Sequence, residues 1–161
     1  MRLWALEFYA TSCIKGSVMS VEALLKPAVA ESLAAWHRAI AARDASALPP
    51  MRADAVFRSP MAHKPYHSAQ AVQLVLSTVV NVFENFAYHR ELASADGLNV
   101  VLEFSATVNG KELKGIDLIR FDEEGRIAEI EVMVRPMSGL QVLGEEMARR
   151  VGATLPAFKA Q

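Results

Sequence analysis

The chain has 161 residues, 52% of them hydrophobic, and a formal net charge of −1 from 17 basic and 18 acidic side chains. That length suits one domain with a real core, and a charge balance this even offers no basic stripe to a nucleic-acid backbone. Cys13 is the only cysteine, so an internal disulfide is excluded and a reducing cytoplasm is the simplest setting; no run reaches the ~18 apolar residues of a membrane span.

Residues 1–19 read as a poorly packed extension. Arg2 followed by Leu3-Trp4-Ala5-Leu6 faintly resembles a signal segment, but Glu7 and Lys15 interrupt it, and Met19 offers an alternative start. From Pro27 to Arg43 the apolar positions Val29, Leu33, Trp36 and Ile40 recur with helical period, with Pro27 in the first turn, where its missing N–H costs nothing. Asp44 reads as a new cap for a short turn that Pro49 and Pro50 end. Ala53 to Ser59 contains the strand-like Ala55-Val56-Phe57, and Pro60 to Ser68 is a loop carrying His63 and His67. Ser68 caps a second helix through Val82, rich in β-branched residues whose low helix propensity packing must offset.

The remainder is mostly strand. Phe86 to Ala93, Leu98 to Val108, Glu112 to Phe121 and Arg126 to Val134 are joined by Asp96-Gly97, Asn109-Gly110 and Asp122-Glu123-Glu124-Gly125, of which Asn109-Gly110 is the strongest hairpin signal. Pro136 stops the pairing, and Ser138 caps a final helix to Val151. Helices and strands are segregated, so the fold class is α+β with an antiparallel meander. Alternation puts Leu98, Val100, Leu102, Phe104, Ala106 and Val108 on one face, with Ala128, Ile130, Val132 and Val134 of the last strand also inward. Glu103, Ser105, Thr107, Glu129 and Glu131 face outward and could form a wet homodimer interface.

Asp117 breaks this pattern. It shares a face with Leu113, Gly115, Ile119 and Phe121 that is otherwise fit for the core. A carboxylate there finds a partner, such as Arg38 or Arg135, or takes a proton. The first alternative is structural; the second is a functional acid in a cavity.

The run Gly115-Ile116-Asp117-Leu118-Ile119-Arg120-Phe121-Asp122-Glu123-Glu124-Gly125-Arg126-Ile127 resembles the penultimate hairpin of the nuclear transport factor 2-like superfamily, which includes ketosteroid isomerases and SnoaL-like polyketide cyclases. Ala35-Trp36 to Asp44, Asp54 to Pro60 and Val132-Met133-Val134-Arg135-Pro136 agree in order, so the likeness runs from about Val29 to Val151. It implies a cone: a strongly curved antiparallel sheet packed around the N-terminal helices, plus a C-terminal helix. Residues 20–155 would form that domain and 156–161 a tail.

The same resemblance implies site residues, with departures. Asp117 falls where ketosteroid isomerases keep a protonated Asp in the oxyanion hole. Trp36 stands where they place a donor Tyr, and Ser59 where they place the Asp base. Serine does not shuttle a proton between carbons unaided, so His63, or a water held by Ser59, is the expected replacement. The pocket wall would comprise Trp36, Phe57, Tyr88, Leu102, Phe104, Ile130 and Val134. No metal site is expected, since His63 and His67 lack a completing ligand, and no cofactor. The expected function is binding of a small apolar ligand, with isomerase, cyclase or dehydratase chemistry on a carbonyl-bearing substrate. The alternative is a dimerisation or ligand-binding module without turnover.

Overall fold

The computed structural model describes residues 20–158; the extension expected over residues 1–19 lies outside the described residues. A 3₁₀ turn (Val21–Leu24) leads into α1 (Pro27–Ala42), and a second turn (Ala45–Ala47) into β1 (Met51–Arg58). β2 (Tyr66–His67) and α2 (Ala69–Val79) follow, then β3 (Glu84–Ala93), β4 (Asn99–Val108), β5 (Lys111–Phe121), β6 (Ile127–Arg135), α3 (Met137–Val151) and a last 3₁₀ turn (Leu155–Phe158).

The helices form where the sequence supplies stripes and caps. α1 buries Val29, Leu33, Trp36 and Ala39 along one side, a spacing that keeps one face on the sheet. Its C-cap, Arg43, sits in the left-handed region at φ 54°. Asp44 caps the next turn by accepting from the Ser46 N–H at 2.9 Å, and Ser68 Oγ accepts from the Ala71 N–H at 3.2 Å to start α2. In α2 the burial of Val72 and Val75 offsets the helix propensity lost to branching at Cβ. α3 begins one residue before the expected cap, directly after Pro136, and Ser138 is exposed. It rides close to β5 at Gly139, where an added Cβ would lie 2.8 Å from Leu113 Cβ.

The four-stranded meander is present: β3–β4, β4–β5 and β5–β6 pair antiparallel. The Asn109-Gly110 turn takes φ 47° and 76°, both positive as a tight hairpin requires. The full sheet, however, has six strands in the order β2-β1-β6-β5-β4-β3, and β1 runs parallel to β6, with Val56 opposite Glu129 and Arg58 opposite Glu131. The expectation of a wholly antiparallel sheet is therefore corrected to a mixed one that remains open. Ala55 and Phe57 of β1 are buried against the helices, and the free edge of β6 supplies the hydrogen-bond partners for that side of the strand. Tyr66 and His67, read as loop, pair with Phe57 and Val56 on the far side of β1.

Along β4 burial alternates at every residue, with Val100, Leu102, Phe104, Ala106 and Val108 inside. Register shifts in the β1–β6, β3–β4 and β5–β6 pairings add local twist to a sheet that curves around α1 and α2 in an α+β cone. The shift between Tyr88 and Glu91 turns both His89 and Arg90 outward and brings Glu91 back toward the helices. Two apolar clusters result. One joins α1, α2 and the sheet centre through Leu33, Trp36, Leu102 and Ile130. The other joins α3 to the far end of β4 and β5 through Phe83, Phe104, Leu113 and Leu143. Leu155 and Phe158 pack against the first cluster.

Candidate functional site

A cavity of about 260 Å³ lies where the two clusters meet. Trp36 and Ile40 of α1, with its C-cap Arg43, form one wall, and Val75, Leu76 and Val79 of α2 another. Phe86, Tyr88, Phe104, Asp117 and Val132 of the sheet face them, and Leu143, Gly144 and Met147 of α3 close the side with Leu155 and Pro156. Most of this wall is hydrocarbon or aromatic ring, the setting in which a few polar groups orient a ligand.

Asp117 is the acid in that wall. β5 pairs it with Leu102 on one side and Val132 on the other, so strand register fixes its direction toward α1 and α2. No hydrogen bond or ion pair reaches its carboxyl among the described residues; neither Arg38 nor Arg135 pairs with it. Its residual exposure is to the cavity, and protein encloses it otherwise. Desolvation alone lifts the carboxyl from 3.8 to about 7, because an apolar surround disfavours the charged form. Room for the acid's neighbourhood depends on Gly115, two residues earlier on the same face. A Cβ there would stand 2.3 Å from Phe104 Cζ and 2.7 Å from the Met133 carbonyl oxygen.

Tyr88 is the second polar group. The Trp36 indole N–H donates to Tyr88 Oη at 2.8 Å. His37 stands edge-on to the phenol ring with centroids 5.1 Å apart, and Phe86 likewise at 4.8 Å. Burial, then the neighbouring charge of Asp117, hold the phenol well above its ordinary value. The hydroxyl is thus a neutral donor whose lone pair is already engaged by Trp36 and whose proton has no acceptor among the described residues. Trp36, expected to donate into the pocket itself, instead orients the group that does. Behind it His37 Nε2 lies 3.1 Å from Glu91 Oε1, within ion-pair distance but without hydrogen-bond alignment.

Ser59 borders the cavity just past the end of β1, and its Oγ accepts from the Met61 N–H at 3.1 Å. His63 does not: it is exposed in the loop before β2 and absent from the cavity wall, as is His67. The loop turns outward there because Tyr66, not a histidine, is the residue drawn into the core. Trp36, Phe57, Tyr88 and Phe104 line the cavity as expected. Leu102 and Ile130 are fully buried in the filled core beneath α1, and Val134 packs in the second cluster, so these three are not wall residues. Sequence reasoning missed Arg43 and the whole contribution of α3, whose inward Gly144 and Leu143 carry no chemical signal of a site.

No described helix is long and apolar enough to cross a membrane. Known proteins agree with this architecture. The model of the SnoaL-like domain matches residues 33–130. The structure described as a steroid delta-isomerase from Pseudomonas aeruginosa is 64% identical, with a TM-score of 0.78 over 82% of this chain and 97% of that one. An uncharacterised protein with a cystatin-like fold from Silicibacter pomeroyi DSS-3 is 27% identical, with a TM-score of 0.73 over 80% of this chain and 94% of that one. A putative SnoaL-like polyketide cyclase from Shewanella denitrificans OS-217 shares the fold at 14% identity and a TM-score of 0.53, over 77% and 99%. No curated protein matches the sequence significantly. By the domain model that matches more than half of it, the chain belongs to the SnoaL-like domain family.

Proposed function

We propose that the protein is a cofactor-free isomerase, with cyclase or dehydratase chemistry as the nearest variants, acting on a carbonyl-bearing hydrophobic small molecule. The observation that carries this reading is Asp117: an unpartnered carboxyl facing an apolar cavity and lifted to about 7. In its neutral form it donates a hydrogen bond to the substrate oxygen, and Tyr88 donates a second. Such donors strengthen as negative charge develops on that oxygen during enolisation, in a site from which water is largely excluded. Ser59, at the wall, is suited to holding the water that relays the proton. The description of the 64% identical structure as a steroid delta-isomerase supports a cyclic ketone. A single cysteine remains in keeping with a cytoplasmic setting.

The test is conversion of a Δ5-3-ketosteroid to its conjugated enone, followed by absorbance, in the wild type and Asp117→Asn. Turnover that falls at least 100-fold in a folded variant supports the reading. Equal turnover in both removes Asp117 from the chemistry, and no turnover in either favours the ligand-binding alternative.

A homodimer through the outer face of the sheet remains part of the proposal. Val101, Ile116 and Leu118 are half-buried there, and Met133 is exposed at 51% and Leu92 at 60%. Glu103 is paired with Arg90, and Glu129 with Arg58 and Arg120, so these carboxylates are neutralised and cost less to cover. Sedimentation at micromolar concentration would show a dimer; a clean monomer would remove it.

A further inference from the structure

Arg43 is the other charged residue on the cavity wall. Of the ten arginines among the described residues, seven are paired with carboxylates. Arg38, Arg43 and Arg135 are not, and of these only Arg43 borders the cavity. It is also held there. Its Nη2 donates to the Phe83 carbonyl oxygen at 3.0 Å, tethering the end of α1 to the segment leading into β3. The backbone at φ 54° closes the helix at the same residue, where the helix dipole favours a cation. One donor of the guanidinium is used, and the other N–H groups have no acceptor among the described residues.

The position of this charge relative to the acid follows from α1. Trp36, Ile40 and Arg43 all line the cavity, at i, i+4 and i+7, along one face of the helix. Seven residues at 1.5 Å each separate Trp36 from Arg43 by about 10 Å. Trp36 marks the Tyr88 end, because its indole holds that phenol, and Tyr88 and Asp117 face the cavity together from the sheet. The two ends differ in solvation. Asp117 is enclosed, whereas Arg43 is exposed at the rim. A neutral oxygen is suited to the first, and an anion that keeps some water to the second, since full desolvation of an ion pair is costly.

We propose that the substrate is an amphipathic ring ketone bearing a carboxylate at the end remote from its carbonyl, and that Arg43 binds that carboxylate at the cavity mouth. The ring system crosses the apolar wall between them, and the guanidinium's free N–H pair offers the fork that carboxylates accept. The inference rests on the Asp117 reading for the carbonyl end but not for the anionic end.

Three fluorescent probes separate the two: 2-naphthol, 3-(6-hydroxy-2-naphthyl)propanoate, and 3-(2-naphthyl)propanoate, which keeps the anion and lacks the hydroxyl. Titrations compare the wild type with Arg43→Gln, Arg43→Lys and Asp117→Leu, each checked for folding by thermal melting. The hydroxy acid should bind the wild type at least tenfold tighter than 2-naphthol. That preference should vanish in Arg43→Gln, return in part in Arg43→Lys, and persist in Asp117→Leu while both phenols weaken. The proposal is overturned if the wild type shows no preference for the acid, if Arg43→Gln retains it, or if 3-(2-naphthyl)propanoate binds wild type and Arg43→Gln alike. Phenols that bind Asp117→Leu as tightly as the wild type would overturn the Asp117 reading and leave Arg43 standing.

Discussion

Replacing Asp117 by Asn should make the protein more stable at alkaline pH than the wild type. The folded protein holds this carboxyl at about 7 against an ordinary value of 3.8, so the folded state keeps a proton that the unfolded chain has released. For a carboxyl raised in this way, stability is greatest below the unfolded value and declines as pH rises through the folded one. The full interval corresponds to about 4 kcal/mol. About 3 kcal/mol of it falls between pH 5 and pH 8.5, and water admitted to the cavity would trim that figure by solvating the anion. Paired carboxylates shift the other way: Glu146, held to about 2 by hydrogen bonds from Arg149 and Arg150, loses its contribution only as pH falls from its ordinary value of 4.5 toward 2. Such groups are common to both proteins and cancel in the difference. Urea unfolding of wild type and Asp117→Asn at pH 5, 6, 7 and 8.5 measures it directly. A wild type that loses about 3 kcal/mol relative to the variant across that range agrees with a neutral, cavity-facing acid. A flat difference, or one favouring the wild type as pH rises, would mean that the carboxylate is charged and paired, and the site argument would fail with it.

Four other measurements test separate parts of the structure. Turnover and phenol affinity should decline above about pH 7 as Asp117 ionises and ceases to donate; a profile flat to pH 9 excludes it as the donor. Tyr88→Phe removes the acceptor for the Trp36 N–H, and leaving that buried donor unsatisfied should cost about 1–3 kcal/mol in chemical unfolding, with weaker phenol binding besides. Gly115→Ala should lower the melting temperature, because the new methyl meets a backbone carbonyl as well as the Phe104 ring and overpacking costs about 1–3 kcal/mol. His63→Ala should leave turnover and affinity unchanged, since the imidazole is exposed and away from the cavity; a tenfold loss would return it to the site.

The meander was legible because its signals are local. Asn109-Gly110 fixes a turn within two residues, and the alternation from Val100 to Val108 states which face is inside. Asp117 was legible for the same reason, as one carboxylate out of step with its strand. What alternation does not carry is position along the face. Leu102, Ile130 and Val134 share the inner side with Phe104 and Val132, and only the placement of α1 and α3 over them decides whether a residue meets another side chain or open space. The pairing of β1 with β6 was illegible because some seventy residues separate them and the strand carries no mark of its direction. Neither the Trp36–Tyr88 bond nor the role of Arg43 leaves a trace in spacing, since each depends on two elements meeting in space.

The parallel pairing of β1 and β6 also sets an order of assembly. β3 to β6 can join through successive short turns, and contacts of that kind form quickly. β1 has only the two-residue β2 as a local partner, and its other edge stays open. That open edge must wait until Ile127–Arg135 has been made and has found β5. During synthesis the first third of the domain is therefore a dependent passenger, prone to associate with other chains until the last strand emerges. A nascent chain stalled after Phe121 should remain sensitive to protease throughout β1, and one extended past Arg135 should become resistant there.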